Sequence, residues 1–81
     1  MISELLFTFP NTKTAITAER ALLAAGLTVT VMPMPEALSN QCGIVLRLPE
    51  HELETGRAVL DAAKIEISAI YRKQGEELHP L

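Results

Sequence analysis

LLFTFPNTKTAITAERALLAAGLTVTVM, residues 5–32, decides the fold. Leu5-Leu6-Phe7-Thr8-Phe9 is rich in β-formers and stops at Pro10, which has no amide to give a sheet ladder. Asn11-Thr12-Lys13-Thr14 supplies side-chain oxygens able to cap a helix start. From Ala15 to Ala25 the chain is mostly Ala and Leu, with Ala15, Ala18, Leu22 and Ala25 on one stripe. Gly26 stands where a helix-ending residue with positive φ is expected. Leu27 to Met32 then alternates at period two, which predicts Leu27, Val29 and Val31 on a buried face. The stretch reads strand, helix, strand.

The same plan recurs downstream. Pro33-Met34-Pro35 ends the second strand, and Glu36 to Gln41 is a polar connection. Cys42-Gly43 opens a strand in which Ile44, Leu46 and Leu48 face inward. Pro49-Glu50 starts a second helix, whose inner face carries Leu53, Gly56, Leu60 and Ala63, with Gly56 permitting close helix–sheet contact. Ile65 to Tyr71 alternates again as a last strand. The order β-α-β-β-α-β predicts an α+β, ferredoxin-like sandwich. Right-handed crossovers then give a four-stranded antiparallel sheet, order 4-1-3-2, with both helices on one face. Residues 1–72 form one domain, and 73–81 are expected to be a polar, frayed tail. The other sheet face would carry Leu6, Thr8, Thr28, Thr30, Met32, Val45, Ser68 and Ile70, apolar enough to suit a homodimer or a partner.

Composition narrows the function classes. The net charge of −3, with Lys and Arg scattered, argues against a nucleic-acid binder. No apolar run is long enough to cross a bilayer, and Met1 to Pro10 has no basic region that would mark a targeting signal. A single cysteine excludes an intramolecular disulfide and points to a reducing cytoplasm. His51 and His79 have no cysteine at metal-ligand spacing, so neither a metal nor a cofactor is expected.

Cys42 is thus the distinctive chemical group. The topology places the start of its strand beside the end of the first strand, hence beside Asn11, Thr12 and Lys13 at a helix N-terminus. A cation and helix amides lower a thiol's pKa, and the thiolate is the reactive form. Gly43 leaves access to the sulfur, Ser39 could add a hydroxyl, and Lys64 should lie at the same end of the sheet, one strand further away. The bland reading stands beside this one. Most lone cysteines in small domains are core fillers, Lys13 is an ordinary solvated lysine and Thr12 a plain cap. No acid–base pair for a self-contained enzyme is visible.

Phe9-Pro10-Asn11-Thr12, Ala18-Glu19, Ala25-Gly26, Val31-Met32-Pro33-Met34-Pro35, and Ser39 followed by Cys42-Gly43-Ile44 and Leu48-Pro49 occur in one order that resembles the selenium/sulfur (Se/S) carrier protein-like family. The resemblance implies a carrier rather than an enzyme. Cys42 would hold the chalcogen as a perthiol or selenosulfide, taken from a donor enzyme and passed to an acceptor. With no second cysteine, release would depend on the acceptor. The rival expectation is a small regulatory or interaction module in which Cys42 is structural, because this fold serves many roles.

Overall fold

Proline and glycine punctuate the chain where its elements stop, and a computed structural model, which describes residues 3–35 and 43–81, follows that punctuation. Strand β1 (Glu4–Thr8) ends just before Pro10. Helix α1 (Thr12–Ala24) begins three residues earlier than the alanine-rich run, because Asn11 caps it: its Oδ1 accepts the Thr14 amide at 2.7 Å. The helix closes with a Schellman motif. The Leu27 amide donates to the Leu22 carbonyl and Gly26 to Leu23, with Gly26 at φ 83°. Strand β2 (Thr30–Pro33), strand β3 (Ile44–Pro49), a 3-10 turn (Glu50–Glu52) and helix α2 (Leu53–Ala62) follow. Helix α2 ends in the same motif, with Ile65 donating to Leu60 and Lys64 to Asp61. Here, however, the left-handed position is held by Lys64 at φ 59°.

The sheet is antiparallel, in the order β2-β3-β1-β4-β5. Its first four strands take the neighbours expected of them, but the expected four-stranded sheet is corrected to five. The segment read as a frayed tail finishes β4 (Ala69–Gln74) and forms β5 (Glu77–Pro80). Gly75, at φ 64°, supplies the first position of a two-residue hairpin whose second residue, Glu76, keeps negative φ. That is the type II′ pattern, which matches the twist of the flanking strands.

One face of the sheet holds Leu5, Phe7, Leu46 and Leu48, packed with Phe9 and with Ala15, Ala18, Leu22 and Leu60 of the two helices. Each of the large side chains contributes roughly 1.5–3 kcal/mol by leaving water. Gly56 is buried against this core. A Cβ there would stand 3.3 Å from Leu48 Cδ2 and 3.7 Å from Phe7 Cζ, so the expected close helix–sheet approach is present.

Two expected orientations change. Val31 lies opposite Leu46 on the helix side, but β2 is an edge strand, and Val31 is 40% exposed. Ile70 lies opposite Phe7 and packs against the core rather than on the other face. The alternation Ile65–Ile67 belongs to the α2–β4 connection, so the strand's own phase starts at Ala69. The second face is not an open apolar patch either. Leu6, Thr8 and Val45 are all buried within the chain.

The ladder fixes which backbone groups face outward. The Met34 amide donates to the Gly43 carbonyl at 3.1 Å, extending the β2–β3 register by a bonded pair. Bonded pairs alternate along an antiparallel ladder, so Val31 and Pro33 turn their backbone groups away from β3. The Leu81 amide donates to Ile70 at 2.9 Å in the β4–β5 register. By the same alternation, Ile70, Arg72 and Gln74 bond towards β5, while Leu78 and Pro80 face outward. Both outer edges therefore carry a proline where an outward amide would stand.

Candidate functional site

The antiparallel pairing of β1 and β3 puts the end of β1 and the start of β3 at one end of the sheet, together with the first turn of α1. Cys42 and Ser39 fall in the segment 36–42, outside the described residues. What the structure gives is the frame around that segment. Pro33 pairs with Ile44, and the Met34–Gly43 hydrogen bond joins its two stems at one point.

Gly43 is exposed, its φ lies outside the left-handed region, and among the described residues a Cβ there would meet nothing within 4 Å beyond its chain neighbours. Asn11 acts as a helix cap, its acceptor oxygen already used by Thr14. Thr12 is the first residue of α1 and Lys13 the second; both are exposed. The first turn of α1 contains no acidic side chain of its own, and the positive end of its dipole favours negative charge.

Lys13 lines a groove of about 390 Å³ with Thr14, Thr17, Lys64, Ile65 and Glu66. The structure thus brings Lys13 and Lys64 to the same end of the molecule, as the topology predicted. Sequence reasoning did not single out this groove, although the position of Lys64 directly after the second helix pointed to it. Among the described residues neither lysine forms an ion pair.

The opposite end of the sheet is held by carboxylates. Arg72 Nε lies 3.0 Å from both oxygens of Glu50, and its Nη2 lies 2.8 Å from Oε2. Hydrogen bonds from Arg72 hold the Glu50 carboxyl below its ordinary value, with Ser3 assisting. Glu52, with only 12% of its side chain exposed, accepts the Thr28 amide at 2.8 Å. These two contacts tie the 3-10 turn to β4 and to the approach to β2. Among the described residues, no cluster of three or more His, Cys, Asp or Glu side chains could hold a metal, and no helix is long and apolar enough to cross a membrane.

Comparison with known proteins places these features in a family. The family model described as "Putative Se/S carrier protein-like" matches residues 4–72, from the first residue of β1 into β4 and across position 42. No curated protein and no solved structure matches the chain.

Proposed function

We propose a carrier function from one premise: the chain belongs to the Se/S carrier protein-like family. The matched segment contains the chain's only cysteine, and that observation carries the reading. Cys42 is the carrier nucleophile. Its thiolate attacks the terminal sulfur of a donor persulfide, R–S–SH. A new S–S bond forms to Cys42, the donor's S–S bond breaks, and the donor leaves as its thiolate. Attack by an acceptor nucleophile on the outer sulfur regenerates the Cys42 thiolate. In the selenium version the thiolate attacks the terminal selenium of a donor R–S–SeH; an S–Se bond forms to Cys42, the donor's S–Se bond breaks, and the donor leaves as its thiolate.

The surroundings support this assignment. Gly43, next to the thiol, has no side chain to block the approach to the sulfur, and no described residue crowds it. The start of α1, with Thr12 and Lys13 and no acidic side chain in its own first turn, lies at the same end of the sheet and favours negative charge there. Asn11 acts by fixing that helix start, and Ser39 is a candidate neighbour of the sulfur. The donor is an enzyme that presents a persulfide, or selenide-derived selenium already bound as R–S–SeH, the acceptor is an enzyme that presents a nucleophile, and the carrier works in a reducing compartment such as the cytoplasm.

Incubation with a cysteine desulfurase and cysteine, followed by intact-mass measurement under non-reducing conditions, tests the reading. One added sulfur atom, removed by a reductant and missing in Cys42→Ser, is expected. Unchanged mass in the wild-type chain, with a Cys42 that alkylates only after unfolding, would sink it and leave Cys42 a structural residue.

A further inference from the structure

We propose that β5 is an intramolecular guard of the β4 edge: it fills pairing positions that would otherwise accept the same edge of a second copy of the chain. The inference is independent of Cys42. Strand β4, Ala69-Ile70-Tyr71-Arg72-Lys73-Gln74, contains no proline, and the amides and carbonyls of Ile70, Arg72 and Gln74 all point to the side that β5 covers. An edge with such an uninterrupted row of donors and acceptors is a template for another strand. The edge the molecule presents instead has Pro80 facing outward, and the far edge has Pro33. A strand added to either would lose a ladder bond.

β5 is also lightly held. None of its four residues is buried, and Leu78 alone is half-buried. It lies beyond residue 72, where the family match ends.

The occupant on release is a second copy because β4 is self-complementary. With Tyr71 on a two-fold axis, Ile70 of each copy bonds Arg72 of the other, and the two tyrosines face each other as a non-bonded pair, where side chains approach closely. This register keeps the two Arg72 side chains from standing directly opposite, and each retains its Glu50 partner.

Full-length His79→Pro is the test. His79 stands opposite Arg72 in a bonded pair, so a proline there removes an amide that β4 uses and unzips β5. Light scattering should show a monomer for the wild-type chain and a concentration-dependent doubling of mass for the variant. Hydrogen-exchange protection at Ile70 and Arg72 should return as the dimer forms. A folded His79→Pro chain that stays monomeric at its highest soluble concentration overturns the proposal, as does a wild-type chain that dimerises through β5. Should His79→Pro fail to fold, Gly75→Val decides the matter: it strains the φ 64° turn that returns β5 to β4 and loosens the same pairing. Concentration-dependent doubling of mass in that variant supports the guard, and a folded Gly75→Val chain that has lost protection at Ile70 and Arg72 yet stays monomeric refutes it.

Discussion

Gly26 and Lys64 occupy the same position in two copies of one helix-ending motif, so a reciprocal exchange measures the backbone term with little else changing. Replacing Gly26 by Ala places a Cβ in open space, with no atom within 4 Å, so steric overlap contributes nothing. The cost is that of holding an L-residue at φ 83°, about 1–2 kcal/mol. Alanine's narrower unfolded ensemble offsets about 0.4–1 kcal/mol of it. The net is a destabilisation of about 1 kcal/mol, which lowers Tm by about 4–8 °C in a domain of this size. Lys64→Gly reverses the sign: the strain at φ 59° is relieved, the unfolded-state term opposes, and the lysine's favourable place at the α2 C-terminus is lost. A gain of about 0.5 kcal/mol or less remains. Thermal melts and urea titrations followed by far-UV circular dichroism read both. A Gly26→Ala chain as stable as wild type, or a Lys64→Gly chain well below it, refutes the backbone account of these two turns.

Three further outcomes are expected. Gly56→Val overfills the contact with Leu48 and Phe7 and should cost about 1–3 kcal/mol in a urea titration. Glu50 has its folded-state pKa lowered, so its contribution is present above the ordinary carboxylate range and is lost as the pH falls through the lowered value. Glu50→Gln should therefore melt below wild type at neutral pH, and the gap should close in acid; a gap that persists unchanged in acid contradicts the Arg72 pairing. Gly43→Val should change Tm little, since its Cβ meets none of the described residues beyond its chain neighbours, while slowing alkylation of Cys42 by a bulky thiol reagent. Equal alkylation rates would show that the glycine does not govern access.

The order of the first six elements was legible because Pro10, Gly26, Pro33 and Pro49 end or start elements by removing donors or permitting positive φ. The Asn11 cap and the tight seat of Gly56 followed from the same local chemistry. What escaped was decided by tertiary context. β5 is four mostly polar residues, whose one sequence signal is Gly75 between Arg72-Lys73 and Leu78-His79, and its pairing with β4 defines it. The phase of β4 was misread because Ile65 and Ile67 pack on the core from a connection, which imitates strand alternation. Val31 has the right side of the sheet but sits on an edge strand, where it stays largely exposed. At the candidate site, Asn11, Thr12, Lys13 and Gly43 took the end of the molecule that strand order dictated. The role of Cys42, by contrast, came from family membership, since one thiol has no periodicity or partner spacing to read.

The hydrogen bond from Met34 to Gly43 makes the span between them a closed ring anchored on the sheet. Ring closure depends only weakly on length; doubling such a span costs about 0.6 kcal/mol. Residues can thus be added near Pro35 without disturbing the scaffold, while position 42 stays one peptide bond from the anchored Gly43. The frame is in that sense modular: the span can be lengthened from one stem alone, with the β2–β3 register left as it is.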